Sequence, residues 1–60
     1  MNLLFEIEKF LRRTNMPPTR FGRLAVRDPR LVGDLRRGRE ARADMEQRIR
    51  SFIAAQQVQQ

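Results

Sequence analysis

Arginine is the residue whose abundance and spacing carry the clearest chemistry in this chain. Thirteen Lys and Arg stand against seven Asp and Glu, which gives a formal net charge of +6. Lys9 is the only lysine, so 12 of these cations are guanidinium groups. Arginine makes planar, bidentate contacts to phosphate and to guanine that lysine does not make. The excess indicates an anionic partner, although a genome rich in G and C also favours Arg codons.

The positive charge is concentrated in the middle third of the chain. Residues 20–39 contain seven Arg against Asp28 and Asp34, a net charge of +5, whereas residues 1–19 carry +1 and residues 40–60 carry none. Localised positive charge on a small domain is typical of a protein that binds a polyanion. The alternative is a solvated charged surface with no partner.

Several function classes are disfavoured by what the sequence lacks. The chain has no Cys and no His, so it offers no disulfide, no thiolate metal site and no imidazole base. No nucleophile has a base beside it in a fixed pattern, so we do not expect an enzyme. Its longest apolar runs, residues 3–5 and 52–55, are far shorter than the roughly 20 residues of a membrane helix. No secretory signal is visible. We expect a cytoplasmic protein without cofactor, metal, membrane partner or small-molecule ligand.

Hydrophobic periodicity predicts helices at both ends of the chain. Asn2 is a good N-cap for a first helix over residues 3–13, which ends at the Thr14–Pro18 segment. Phe5 lies on the side opposite to this helix's apolar stripe. A further helix is predicted from about residue 43, with Met45, Ile49 and Phe52 facing inward. Residues 56–60, rich in Gln, are interpreted as a fraying end.

Two shorter helices are predicted between these. The second begins at Pro18, turns Phe21, Leu24 and Ala25 inward and ends near Val26. Asp28 and Pro29 are a start signal for the third, which ends near Gly38. With no strand pattern, repeat or linker in the sequence, we expect residues 1–60 to form a single all-α domain of four helices.

The two short helices and their tight connection resemble the lambda-repressor-like (Cro/CI-type) helix-turn-helix family. The positions that carry the resemblance are Pro17, Phe21, Gly22, Val32 and Gly38. Gly22 suits a close crossing of the two helices. The resemblance implies a four-helix lambda-repressor-like domain with its helix-turn-helix over about residues 18–38. It also implies a sequence-specific double-stranded DNA-binding transcriptional regulator, of bacterial or phage origin, acting on the nucleoid.

The chain departs from the family pattern at three positions. Pro17 replaces the usual capping hydroxyl, and Pro18 replaces the glutamine that often opens the second helix and contacts the DNA backbone. The role of that glutamine therefore does not carry over. Val26 stands where the family often has a glycine, so the turn must be formed around Arg27 without one.

If the third helix, about residues 29–37, enters the major groove, its outward side chains meet the bases. Arg30 is placed to contact guanine and Asp34 to accept from cytosine, or the two form an ordinary surface pair. Gly33 permits close approach to DNA, or its cost is merely tolerated. Leu31 lies between the inward and outward sides of this helix, where it either contacts a thymine methyl or packs at the edge of the core. The predicted base contacts are Arg30, Leu31, Gly33, Asp34 and Arg37. The predicted phosphate contacts are Thr19, Arg20, Arg23, Arg27, Arg36 and Arg39.

The remaining predictions concern the oligomeric state and the class of partner. One 60-residue copy offers few base contacts, so we expect a homodimer, with Phe5, Ala54 and Val58 at its interface. The main alternative function is a protein-interaction adaptor or anti-repressor on the same fold. Such an adaptor would display an apolar patch on the third helix in place of charge. RNA binding and membrane-active amphipathic behaviour are less favoured alternatives.

Overall fold

The computed structural model describes the backbone of residues 2–58 and the side chains of residues 2–56. Four α-helices form in chain order: α1 (Leu3–Thr14), α2 (Pro18–Val26), α3 (Leu31–Arg36) and α4 (Ala43–Val58). Residues 2–58 contain no strand, which confirms the all-α prediction over that range. Helix α3 packs against α1 and α2, and α4 packs against α1 and α2.

Local signals at the start and end of α1 act as the sequence predicts. The Asn2 Oδ1 accepts hydrogen bonds from the N–H groups of Leu4 at 2.8 Å and Phe5 at 3.3 Å, so the first turn is capped. The helix ends at Asn15, which adopts a left-handed conformation at φ 58°. Asparagine tolerates this conformation better than most residues. The helix thus extends one residue beyond the predicted end.

The core is apolar and contains side chains from all four helices. Its buried residues are Ile7, Phe10, Leu11, Phe21, Val26, Leu31, Val32, Leu35, Ile49 and Ile53. At its centre the ring of Phe21 lies 5.6 Å from that of Phe10 and 5.5 Å from that of Phe52, measured between centroids. Tilted and edge-on aromatic pairs at this distance stabilise a small core. The inward orientation predicted for Leu24 is wrong, because its side chain is 51% exposed.

The connection between α2 and α3 depends on Gly22. A Cβ at this position would overlap the carbonyl oxygen of Asp28 and lie 3.1 Å from the Cβ of Leu31. The close approach predicted for the two helices is therefore confirmed. The turn is formed by Arg27 in the left-handed region, at φ 59°, without a glycine. The Asp28 N–H then donates to the Gly22 carbonyl at 3.0 Å.

Helix α3 is shorter than predicted and begins later. Asp28 caps the turn before the helix: its Oδ1 accepts from the Arg30 N–H at 3.0 Å, and its carbonyl accepts from the Leu31 N–H at 3.1 Å. The last helical residue is Arg36, and Gly38 closes the helix as predicted, with a φ of +106°. The Gly38 N–H donates to Leu35 and the Arg39 N–H donates to Asp34, which is the Schellman arrangement.

Helix α4 corrects one prediction about the C-terminal segment. The helix continues to Val58, so residues 56–58 are helical and not a frayed end. The rest of the predicted tail, residues 59–60, lies outside the described residues. Among residues 2–58, no helix has the length and apolar content needed to cross a membrane.

Candidate functional site

The exposed side of α2 carries arginines that have no acidic partner. Arg20 and Arg23 are three residues apart and therefore lie on one side of the helix, and Arg27 follows at its C-cap. All three side chains are exposed. Within the described residues none of them forms an ion pair, and Leu24 is exposed among them. This side of α2 is a basic surface open to an external anion.

The first turn of α2 adds uncapped backbone donors to this surface. Neither Pro17 nor Pro18 has an N–H, and no side chain caps the helix. The Phe21 N–H is the first to be bonded, to the Pro17 carbonyl at 3.0 Å. The N–H groups of Thr19 and Arg20 thus stand at the positive end of the helix dipole, where anions are stabilised.

The exposed side of α3 is formed by Arg30, Gly33 and Arg37. Arg30 is exposed at the start of the helix, and the Arg37 side chain is 81% exposed at its end. A Cβ added to Gly33 would have no neighbour closer than the Arg37 Nη1 at 4.0 Å. No packing within the chain requires a glycine there, although glycine costs a helix up to about 1 kcal/mol relative to alanine.

Leu31 does not belong to this surface. Its side chain is fully buried, at 0% exposure, in the core between α2 and α3. The predicted contact between Leu31 and a base is therefore wrong. The reason is the close approach at Gly22: Leu31 is the first helical residue of α3 and packs over this glycine, which has no side chain to exclude it.

Arg36 holds α3 against α1. Its Nε and Nη2 donate to the two carboxylate oxygens of Glu8 at 2.7 and 2.9 Å. The hydrogen bond from Arg36 is the main reason why the pKa of Glu8 lies below its ordinary value of 4.5. The same contact raises the pKa of Arg36. Sequence reasoning missed Glu8, because no local pattern links two residues 28 positions apart.

Arg39 forms ion pairs with two carboxylates at once. Its Nη1 lies 3.2 Å from the Asp28 Oδ2 and 3.1 Å from the Asp34 Oδ2. The pKa of Asp28 is lowered first by the hydrogen bond from the Arg30 N–H and then by the one from Arg39. Asp34 also lies 3.6 Å from the Arg37 Nη1. Two of the predicted DNA-contacting residues, Asp34 and Arg39, are thus bonded to each other.

The residues predicted for a dimer interface lie on α1 and α4. Phe5 is 52% exposed, with the Lys9 Nζ 5.9 Å from the centre of its ring. Ala54 is exposed and lines a shallow depression with Glu6, Arg50 and Ile53, to which Phe5 does not contribute. The side chain of Val58 lies outside the described residues.

Two further observations limit what the site can be. Within the described residues, no cluster of three acidic side chains could hold a metal ion. Comparison of the chain with known protein families, curated proteins and solved structures found no match.

Proposed function

We propose that this chain is a sequence-specific double-stranded DNA-binding protein that regulates transcription in a bacterium or phage. In this proposal α2 and α3 form a helix-turn-helix of the lambda-repressor-like type, with α3 in the major groove. The protein would act in the cytoplasm, on the nucleoid. The observation that carries the proposal is a set of exposed arginines, on α2 and its connection to α3, that form no ion pair with any residue the structure describes.

The pairing of charges makes this observation informative. An arginine that serves stability or solubility can be neutralised by a nearby acid, as Arg36 and Arg39 are. Arg20, Arg23 and Arg27 form no ion pair with any described residue, although the net charge is already high. Keeping like charges together on a small domain is unfavourable, unless a polyanion neutralises them. Phosphates are the anions that arginine and an uncapped helix start both bind.

Gly33 supports the orientation of α3 towards DNA. The internal packing gives no reason for a glycine here, since a Cβ would have open space. A surface that must approach a base pair or a phosphate closely does give one. In this proposal Arg30 reads guanine beside Gly33, and Arg37 extends from the other end of the same exposed side.

The adaptor alternative needs an apolar patch on α3. Leu31, Val32 and Leu35 are all buried, so the exposed side of this helix is charged. Leu24 is exposed on α2, but arginines surround it. The surface chemistry of the two helices therefore favours nucleic acid over an apolar protein partner.

The proposed assembly is a homodimer that binds two half-sites about one helical turn apart. Phe5 supports this part of the proposal, because this large aromatic side chain on α1 is half exposed, with the Lys9 ammonium near its ring. Two short recognition helices would supply the base contacts that one cannot, and the linked pair would bind more tightly and more selectively.

Binding to a labelled random-sequence DNA duplex, measured by fluorescence anisotropy against salt concentration, tests the surface directly. The variant Arg20→Gln/Arg23→Gln removes two charges from α2. Arg42→Gln/Arg48→Gln removes the same charge from two exposed positions before and within α4. If α2 neutralises phosphates, the first variant lowers the slope of log affinity against log salt by about 1.8 units, at 0.9 per phosphate.

The control variant should leave that slope close to the wild-type value. Equal losses for the two variants would show that only net charge matters and would contradict the proposed surface. Absence of wild-type binding at low salt would contradict DNA binding altogether.

A further inference from the structure

We propose that Arg39 is a positioning residue that fixes the two base-reading arginines of α3 and does not itself bind phosphate. This inference rests on the proposed function, since it assigns a role within the same DNA-binding surface. It revises the expectation that Arg39 contacts the DNA backbone.

Two carboxylates, from Asp28 and Asp34, share the Arg39 guanidinium. The Nη1 of Arg39 lies 3.2 Å from the Asp28 Oδ2 and 3.1 Å from the Asp34 Oδ2. Asp28 precedes α3 and Asp34 lies within it, while Arg39 follows the helix. One guanidinium therefore joins the residues before, within and after the helix.

Each of these carboxylates holds a second arginine with its other oxygen. The Asp28 Oδ1 accepts from the backbone N–H of Arg30 at 3.0 Å, and the Asp34 Oδ1 lies 3.6 Å from the Arg37 Nη1. Arg39 thus orients the two acids that in turn hold Arg30 and Arg37. These two arginines are the ones that the proposed function assigns to the bases.

The length of α3 explains why such a bridge is needed. The helix has six residues, fewer than two turns, and an isolated helix of this length is not stable in water. Its inner side is held by the core and Arg36 ties it to Glu8 of α1, while Arg39 joins the residues before and within the helix. The Arg39 Nη2 also lies 4.0 Å from the Met45 Sδ, which places the bridge beside α4.

The Arg39 guanidinium is already bonded to two carboxylates, which argues against a contact between Arg39 and phosphate. Its side chain is 38% exposed, compared with 81% for Arg37, and it faces two carboxylates. The pKa of Arg39 is raised chiefly by its hydrogen bond to Asp28. A DNA phosphate would have to displace these carboxylates from Arg39, and their negative charges would repel it at close range.

The first test compares Arg39→Ala with Arg48→Ala, which removes an equal charge from an exposed position on α4. Affinity is measured for the tightest duplex selected from a random library and for a random-sequence duplex. Arg39→Ala should lower the ratio of the two affinities about tenfold, the discrimination of roughly one base contact, and leave the salt slope unchanged. Arg48→Ala should leave the ratio unchanged. Simple loss of stability would lower both affinities together.

A second variant, Asp28→Asn, keeps Arg39 in place, so that the role can still be tested if Arg39→Ala does not fold. Asparagine can still accept from the Arg30 N–H, but it no longer attracts the guanidinium. It should lower the affinity ratio, while the added net charge tightens binding to random DNA. The control is Glu40→Gln, which makes the same charge change at the exposed residue that follows Arg39 in the chain. It should tighten binding to both duplexes equally.

Amide hydrogen exchange without DNA gives a readout that does not depend on binding. In Arg39→Ala the amides of Asp34 and Leu35 should exchange faster relative to those of Ile49 and Ile53 in α4. Unchanged relative exchange, or an unchanged affinity ratio, would overturn the positioning role. Equal weakening on both duplexes with a slope reduced by about one unit would make Arg39 a phosphate contact. A wild-type protein that prefers no duplex, together with faster α3 exchange, would instead overturn the proposed function alone.

Discussion

Substitution of Gly22 by alanine should destabilise the protein because two backbones meet at this residue. A Cβ here would overlap the Asp28 carbonyl oxygen and lie 3.1 Å from the Leu31 Cβ. The backbone of the α2–α3 connection would have to move, since a carbonyl cannot turn aside as a flexible side chain does. Overpacking of this kind costs about 1–3 kcal/mol, and often more where backbone must shift.

The better helix propensity of alanine offsets up to about 1 kcal/mol of this cost. The expected net loss in the free energy of unfolding is about 1–2 kcal/mol. For a chain of this size, it lowers Tm by roughly 5–15 °C, at about 4–8 °C per kcal/mol.

Gly33→Ala is the matched control, because it makes the same chemical change in the neighbouring helix. Its Cβ has no neighbour closer than 4.0 Å, so only the gain in helix propensity remains. We expect Tm to rise by up to about 8 °C. Thermal unfolding of both variants followed by far-ultraviolet circular dichroism, at one fixed protein concentration, measures the difference. A Gly22→Ala protein as stable as the wild type, or two glycines that respond in the same direction, would refute the reasoning.

Three further predictions concern binding, pH dependence and assembly. Gly33→Ala should bind its selected duplex less tightly than the wild type despite its greater stability, and tighter binding in anisotropy would contradict the role given to Gly33. The pKa of Glu8 is lowered by its bond from Arg36, so this pair stabilises the fold above pH 4.5 and loses its effect as the pH falls through 4.5 and then through the lower folded value. Glu8→Gln should remove that part of the pH dependence in urea unfolding, and an unchanged profile would argue against the pair. Phe5→Glu should convert a dimer into a monomer in sedimentation at micromolar concentration, whereas a wild-type monomer both free and on DNA would refute the dimer.

The elements of the fold could be predicted because their signals are local. Asn2 caps α1 through its own side chain, and Gly38 ends α3 because glycine adopts the left-handed backbone at low cost. Gly22 marks the close approach of α2 and α3 for a similar steric reason. Signals of this kind act over one or two turns, and a sequence displays them directly.

The predictions that failed concern which side chains face the core and where the last helix ends. Leu31, which the helical wheel puts at the border of the inward side, is fully buried because it packs over Gly22, where no side chain occupies the space between α2 and α3. Leu24 fits the apolar spacing of α2, but the core is already filled by Phe21 and Val26. Residues 56–58 continue α4, because glutamine is a good helix former and a Gln-rich composition does not by itself end a helix.

The charged contacts are the part of the site that sequence alone could not supply. Arg36 meets Glu8, and Arg39 meets both Asp28 and Asp34, only after the four helices have packed. In the sequence all arginines of residues 20–39 look equivalent. The structure pairs Arg36, Arg37 and Arg39 with acids, whereas Arg20, Arg23 and Arg27 form no ion pair within the described part of the chain, and the proposed function depends on this difference.

Selection of duplexes from a random DNA library, with the wild type and Arg30→Ala in parallel, tests the central claim most directly. The account predicts that the wild type enriches a consensus with two half-sites about one helical turn apart. Arg30→Ala should relax the preference at one base pair of each half-site and cost about 1–3 kcal/mol on the wild-type consensus. Failure to enrich any sequence, or an identical consensus from Arg30→Ala, would contradict it.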